Sequence, residues 1–343
     1  MNTPPSLSAE TSAILKGLAI LMMLFHHCCG YSNWVIIPDI RFSCATIGLA
    51  LNSKLCVSIF AFLTAYAFFF HRDKSHIYVL RKIIVFLCHY WMILLFVYLS
   101  AAYLLADFSL LPLFLCDILP TKAAGLMQFA WYVTFYAMLM LLLPYLNAAE
   151  KAKGILFQTV FPILSGALFS FFLKSADLQG SSFVCAVLMG HFCAKFNIIN
   201  RLVSLFCQKS AVTRLAAGIA SLLLFYAWFR LPANRSLSFL FMQGSLLPLI
   251  LSLLLLQPLL KKLRLLAILN FLGKHSMNIW FLHCLFFADA TKALFQPLIY
   301  WSNTPALVVL STLLLCLPIA VSLTYLQAFL SGYIKRLPLF SQA

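Results

Sequence analysis

Charged residues are scarce in this sequence. Only 9% of its 343 residues are Asp, Glu, Lys or Arg, whereas a soluble domain carries about 25%. Hydrophobic residues make up 64% of the chain, and its mean hydropathy is +0.99. Such a chain lacks the polar side chains to cover a water-facing surface, which excludes a soluble globular protein. We therefore predict an all-α, polytopic membrane protein in which residues 1–343 form a single transmembrane domain.

Acidic residues are the scarcest charged type. There are eight Asp and Glu against 24 Lys and Arg, a formal net charge of +16. Nucleic-acid binding would need a continuous basic stripe, and here the basic residues are scattered between apolar runs. Lys and Arg beside membrane spans instead mark the cytoplasmic side and attract anionic lipid. We expect membrane lipid, and no nucleic acid, as a partner.

Patterns typical of metal and nucleotide sites are also missing. The 11 cysteines lie mostly inside apolar runs without metal-ligand spacing, so we expect reduced packing residues and no metal. No Gly-rich phosphate loop is present, so any phosphate would be held by side chains. The polar stretch MNTPPSLSAET precedes the first apolar run, and we expect no cleavable signal peptide.

Windows of high hydropathy predict about ten transmembrane helices of roughly 20 residues. They lie at 12–31, 54–70, 80–104, 128–147, 154–173, 180–196, 212–230, 239–259, 269–290 and 305–330. Residues 105–127 are apolar but are interrupted by two Asp and two Pro, so we expect a re-entrant or interfacial segment there. With loops assigned to alternating sides, 17 of the 24 Lys and Arg fall on the side of both termini. The positive-inside rule then predicts cytoplasmic termini.

Residues 16–29, KGLAILMMLFHHCC, place a cation and two adjacent histidines in the first span. On an α-helix Lys16 and His27 share a face about 16 Å apart, and His26 points about 100° away. A lone intramembrane histidine is more often hydrogen-bonded to a neighbouring helix, but a histidine pair in register with a cation favours chemistry. A neutral imidazole takes a proton from a hydroxyl near neutral pH. His27, Lys16 and His26 are therefore the candidate catalytic residues.

The basic cluster HRDKSHIYVLRK, residues 71–82, lies where the second and third spans meet. Arg72 and Lys74 fit the positive-inside rule as well as they fit a binding site. Arg81 and Lys82 begin a span directly, so they are placed to hold the phosphates of a nucleotide-bearing donor.

Two later stretches carry further candidates. Trp131 lies near the predicted outer interface, where it is either an aromatic-belt residue or a platform for a sugar ring. Residues 271–286, FLGKHSMNIWFLHCLF, put Asn278 and His283 in one short span, where Asn278 can also bond across helices.

At these residues the sequence resembles the acyltransferase 3 family of bacterial integral-membrane O-acyltransferases. The first helix of that family carries Arg or Lys, ten residues and then His; Lys16 through His27 fits, which selects His27 over His26. Later family motifs are resembled, in order, by CVSIFAFLTAYAFF at 56–69, RKIIVFLCHYW at 81–91, Trp131, and LGKHSMNIWFLH at 272–283. The departures are Lys16 for the commoner Arg, Ala13 for Asp, Val85 for a second Arg and Cys88 for Pro.

The resemblance implies a transferase of the bacterial cytoplasmic (inner) membrane. It would move an acyl group, expected to be acetyl, from cytoplasmic acyl-CoA (acetyl-CoA) to a hydroxyl of an extracytoplasmic glycan or glycolipid. His27 would act as general base or briefly carry the acyl group, with Lys16 beside the donor. The expected donor-binding residues are Arg81, Lys82, Arg72 and Lys74, and those near the acceptor are Trp131, His283 and Asn278. A homo-oligomer is compatible with the sequence.

Two other classes remain open on sequence grounds. A lipid-linked glycan transporter or flippase would also be basic inside, but it would have a polar central cavity and would not bind acyl-CoA. A polyprenyl-phosphate-dependent glycosyltransferase would need a carboxylate early in an outer loop, and Asp39 is the first-loop candidate for that role.

Overall fold

The computed structural model describes residues 7–71, 76–119, 125–148, 154–230 and 242–334. Within these ranges all regular structure is helical and no strand occurs, which confirms the all-α prediction. The α-helices are α1 Ala9–Cys29, α2 Cys44–Asn52, α3 Leu55–Phe69, α4 His76–Leu105, α5 Phe114–Asp117, α6 Tyr132–Ala148, α7 Ile155–Ser175, α8 Val184–Lys195, α9 Ile198–Cys207, α10 Ala211–Phe229, α11 Leu246–Leu255, α12 Gln257–Lys262, α13 Leu265–Lys274, α14 Ser276–Leu282, α15 Lys292–Ile299 and α16 Pro305–Ile334. Short 3₁₀ helices cover Ser32–Trp34, Phe108–Leu113, Ser181–Phe183 and His283–Phe286.

Six helical segments among the described residues are long and apolar enough to cross a membrane. They are α1, Cys44–Phe69 (α2 with α3), α4, α7, α10 and α16. The pair Ser181–Lys195 and Ile198–Cys207, bent by 63°, would make a seventh. In a bilayer such segments are stable because each helix satisfies its own backbone hydrogen bonds. The chain is therefore a membrane protein, and its described residues contain six or seven candidate spans.

Helix α1 begins at a capped residue and runs through the middle of the fold. The Ser8 hydroxyl accepts a hydrogen bond from the Thr11 backbone N–H at 3.1 Å, and Glu10 lies in the positively polarised first turn; both features favour a helix start. Most of α1 is buried, whereas α7 and α10 are mostly exposed. The exposed apolar helices form the lipid-facing periphery, and α1 lies in the protein interior.

Two glycines allow α1 and α13 to pack backbone against backbone. A Cβ on Gly17 would overlap the carbonyl of Leu269, and one on Gly273 would overlap the carbonyl of Ala13. Small residues at helix crossings serve this purpose in membrane proteins. This close crossing fixes α1, and with it the candidate catalytic residues, against the C-terminal part of the fold.

Two apolar segments, the predicted re-entrant or interfacial segment 105–127 and the predicted span 269–290, contain broken helices. The apolar segment after α4 folds into Phe108–Leu113 and α5, which ends at the buried Asp117. The window 269–290 contains the end of α13, then α14 and the 3₁₀ turn His283–Phe286. Hydropathy finds such segments because they are apolar, but it does not register where the helix breaks.

Candidate active site

The two adjacent histidines of α1 lie in one cavity of about 280 Å³, here called the histidine cavity. Polar and aromatic side chains line it, together with Cys56 and Val57. These polar and aromatic residues are His26, His27, Tyr31, Trp34, Lys54, Gln128, Phe129, Trp131, Gln179 and Trp280. The cavity thus combines imidazoles that can exchange protons with indole and amide groups that suit a hydroxyl-rich ligand.

His26 is held in one tautomer. Its Nδ1 donates to the Ala50 carbonyl at 2.8 Å, because a carbonyl oxygen can only accept. In the neutral ring Nε2 is then the acceptor, and the Tyr31 hydroxyl donates to it at 3.4 Å. His26 is therefore oriented by α2 and the loop after α1.

His27 lies among rings. Its imidazole is stacked on Trp34 at 5.9 Å between centroids and lies 4.0 Å from the Phe129 ring. Its Nδ1 is buried and has no hydrogen-bond partner among the described residues. The ring of His283 packs edge-on against it, with centroids 4.8 Å apart. His283 Nδ1 donates to the Trp280 carbonyl, which fixes that ring behind His27.

The loop after α1 is held in place by Gln296. This fully buried side chain accepts from the Ile36 N–H at 2.8 Å and donates to the Trp34 carbonyl at 2.8 Å. Trp34 in turn stacks on Tyr31 at 3.9 Å. Two aromatic walls of the histidine cavity are thus positioned from α15, far away in sequence.

Lys16 lies in a second cavity, of about 320 Å³, here called the lysine cavity. Basic and hydroxyl-bearing side chains from four helices converge there. Those residues are Ser12, Lys16, Thr64, His71, Tyr78, Lys82 and Tyr136. Lys16 and His27 thus lie on one helix but line different cavities, separated by about 16 Å along its axis.

Aromatic rings connect the two cavities. Trp280 lines the histidine cavity and stacks on Tyr132 at 5.1 Å. Tyr132 lies 6.3 Å from Tyr136, which lines the lysine cavity. Phe60 packs against both Tyr132 and Trp280. We call Phe60, Tyr132, Trp280 and Tyr136 the aromatic partition, since these rings form a chain of contacts from the lining of one cavity to the lining of the other.

The other predicted site residues do not all lie in the same cavity. Trp131 lines the histidine cavity. Arg81, in the second turn of α4, is not among the residues that line the lysine cavity. Arg72 and Lys74 lie outside the described residues.

Asn278 lies in a helix interface. Its Nδ2 donates to the Ala320 carbonyl at 3.0 Å and to the Thr324 hydroxyl at 2.8 Å, and Gln327 donates to its Oδ1 at 3.0 Å. These contacts tie α14 to α16. Asn278 lines neither cavity, so its observed contacts are those of an interhelical residue.

Several lining residues were not singled out from sequence. Among the described residues, Lys54 is the one charged residue that lines the histidine cavity, and Trp34 stacks on His27. In the lysine cavity, the lining residues that were not singled out individually are His71 and Tyr78. The sequence contains a weak signal for Lys54, because a lone cation directly before an apolar run costs free energy when it is buried in the membrane. His71 and Tyr78 belong to the basic cluster of residues 71–82, whereas nothing in the local sequence marks Trp34.

Helical spans surround two cavities, one lined by His26 and His27 and the other by Lys16 and Lys82, as in a polytopic membrane protein with polar sites in its interior. The chain belongs to the acyltransferase 3 family: the family model described as "Acyltransferase domain" matches residues 13–325. It is therefore a membrane acyltransferase, as the sequence motifs predicted. Among curated proteins and among solved structures, no match to the chain was found.

Proposed function

We propose that this membrane acyltransferase moves an acyl group, with acetyl as the expected group, from acyl-CoA to a hydroxyl of a glycan or glycolipid. The observation that carries this proposal is that one helix presents Lys16 to one cavity and His27 to the other. A donor and an acceptor approaching from opposite sides could then meet near His27. Family membership favours this function over the transporter and the glycosyltransferase.

The donor would bind at the lysine cavity. Lys16 and Lys82 supply positive charge from two helices, and the hydroxyl of Ser12 adds a hydrogen-bond donor. Phosphate groups prefer such surroundings. A cavity of about 320 Å³ holds only part of coenzyme A, so the rest of the nucleotide would stay outside. The pantetheine arm would pass the aromatic partition to bring its thioester to His27.

The reaction would proceed by general-base catalysis at His27. The imidazole takes the proton of the acceptor hydroxyl while the oxygen attacks the thioester carbonyl. The carbon–oxygen bond forms, and the tetrahedral intermediate then loses its carbon–sulfur bond. The departing thiolate of coenzyme A takes the proton back from His27, so the enzyme returns to its starting state. His283 would orient the His27 ring, and Trp131 would support the sugar.

We also propose a topology of ten crossings with both termini in the cytoplasm. Six long spans and the bent α8–α9 pair account for seven. The shorter apolar helices Tyr132–Ala148 and Leu246–Leu255, and the broken unit Leu265–Lys274 with Ser276–Phe286, would add three. Most Lys and Arg would then face the cytoplasm, where acyl-CoA is made. Such an enzyme belongs in the bacterial inner membrane.

The test is transfer of labelled acetyl from acetyl-CoA to the glycans of membranes that contain the full chain. His27→Ala should reduce transfer by about 10²-fold or more, the usual contribution of a general base. His76→Ala is the matched control, since His76 is exposed at the start of α4. Unchanged transfer in His27→Ala at an equal protein level would show that the mechanism is wrong.

A further inference from the structure

Lys54 brings a positive charge into the histidine cavity. It lies between α2 and α3 and lines the cavity together with His26 and His27. It is half-buried, and its Nζ lies 5.8 Å from the centroid of the Phe183 ring. The ammonium group of Lys54 and the candidate base His27 therefore line the same small cavity.

In the part of the chain that the structure describes, no carboxylate forms an ion pair with Lys54. The lining of the histidine cavity contains neither Asp nor Glu, and Lys54 has no ion pair with a described residue. Lys292, by contrast, pairs with Asp289 at the exposed end of α15. A cation withdrawn from water is costly unless an anion or hydrogen bonds compensate. A ligand that carries an anion would supply that compensation.

The rest of the cavity suits a sugar. The lining of the cavity includes the indole surfaces of Trp34, Trp131 and Trp280 and the amides of Gln128 and Gln179. Those amides can form hydrogen bonds with hydroxyl groups. The ring of Trp131 stacks on Phe183 at 5.7 Å. Since Lys54 lies over that same Phe183 ring, the charge lies beside an aromatic platform. A sugar on this platform would have its anionic group within reach of Lys54.

We propose that Lys54 determines acceptor specificity by binding an anionic group of the glycan, so that a hydroxyl of the same or the adjacent unit faces His27. This inference rests on the proposed acyl transfer and names its acceptor class. The anion is either the carboxylate of an acidic sugar or the phosphate of a lipid-linked or phosphorylated sugar. Both would form charge-assisted hydrogen bonds to the ammonium group.

Mass spectrometry of envelope glycans tests the proposal in a strain that lacks the gene and in the same strain carrying the wild-type gene. Fragmentation assigns the gene-dependent ester to a sugar unit. We expect that unit, or its direct neighbour, to carry a carboxylate or a phosphate, and the fragment masses distinguish these two sources. An ester on a neutral unit with neutral neighbours would overturn the proposal. This comparison of strains uses no variant, so its result remains valid even if substitutions at Lys54 impair folding.

Variants at Lys54 test its role directly. Lys54→Gln should lower the ester by about tenfold or more, the usual effect of losing a hydrogen bond to a charged group, and Lys54→Arg should retain most of it. Lys292→Gln is the charge-matched control and should behave as wild type. An unchanged ester in Lys54→Gln at equal protein level would overturn the inference while leaving acyl transfer intact. If the wild-type gene adds no ester to any glycan, the proposed function itself fails, and this inference fails with it.

Discussion

The imidazole rings of His27 and His283 pack edge to face with centroids 4.8 Å apart. His283 is fixed by its bond to the Trp280 carbonyl, while its Nε2 is buried and has no partner in the part of the chain that the structure describes. Two imidazoles in contact in a buried site cannot both carry a positive charge without a large cost. The pair therefore holds at most one proton more than its neutral form, which suits a site that accepts a single proton from a hydroxyl.

His283 is predicted to be a positioning residue for His27. His283→Gln should lower kcat by about tenfold to a hundredfold, because a misplaced base loses much of its effect. The KM for acyl-CoA should stay near the wild-type value, since His283 is remote from the lysine cavity. Steady-state kinetics with purified protein separate the two constants. A rise in the donor KM with unchanged kcat would contradict this role.

Gln296 is predicted to control acceptor binding through the loop that carries Trp34. Gln296→Ala removes the partner of the Trp34 carbonyl, the Ile36 N–H and the buried Phe286 carbonyl, and a buried polar group left unsatisfied costs about 1–3 kcal/mol. We expect a lower melting temperature and a higher acceptor KM, measured by thermal unfolding and acyl transfer.

Asn303→Ala provides the matched control, because Asn303 contacts the same loop from the turn between α15 and α16. Asn303 also makes two hydrogen bonds, from the Arg41 N–H and to the Asp39 carbonyl, but it is exposed. Water can replace those bonds, so its effect should be small. Equal effects of the two substitutions would mean that burial of Gln296 is unimportant.

The α1–α13 crossing is predicted to tolerate no side chain at its glycines. Gly17→Ala and Gly273→Ala place a methyl group against a backbone carbonyl that cannot move aside, so each should cost about 1–3 kcal/mol as overpacking. Thermal unfolding in detergent measures the loss. Gly48→Ala and Gly332→Ala lie on helices with open space around the added Cβ and should match or slightly exceed wild-type stability. Comparable losses at all four positions would refute the close crossing.

Sequence reasoning succeeded where the relevant relationship is local. Lys16 and His27 lie on one helix, and helical geometry alone places them on one face. Composition was sufficient for the all-α membrane class. Asn278 shows the limit, because a polar residue inside a span fits a binding role and an interhelical role equally well. Its contacts with α16 became visible only in the fold.

The remaining site residues depend on long-range packing. Trp34 reaches His27 because Gln296, 262 positions later in the chain, holds its carbonyl. Lys54 enters the histidine cavity because α1, α2 and α3 pack together. Neither contact has a sequence period or motif. Such residues can be found from sequence only when the arrangement of the helices is known.

Asp117 is predicted to make the stability of the chain depend on pH. Burial raises the pKa of its carboxyl above the ordinary value of 3.8, although hydrogen bonds from the Tyr98 hydroxyl and the Met127 N–H oppose the shift. The folded chain therefore binds this proton more tightly than the unfolded chain. The contribution of Asp117 to the free energy of unfolding is fully present at pH values below the pKa of this carboxyl in the unfolded chain. It is lost as the pH rises through the pKa of the carboxyl in the folded chain.

Thermal unfolding of wild type and Asp117→Asn across this range measures the effect. The stability of wild type relative to Asp117→Asn should fall as the pH rises above the ordinary carboxyl pKa of 3.8. Asp39→Asn, at an exposed position, should leave both the pH dependence and acyl transfer unchanged. A difference between wild type and Asp117→Asn that is constant with pH would contradict the raised pKa.

Lys82 is predicted to bind the donor without taking part in the chemical step. It lines the lysine cavity opposite Lys16, with its Nζ 5.4 Å from the centroid of the Tyr78 ring. Lys82→Gln removes a charge that would contact phosphate, so the KM for acyl-CoA should rise about tenfold with little change in kcat. The charge-matched control is Lys209→Gln, at an exposed position just after α9. Because phosphate contacts are screened by salt, added salt should raise the donor KM of wild type more than that of Lys82→Gln. A fall in kcat at unchanged KM would instead place Lys82 in the chemical step.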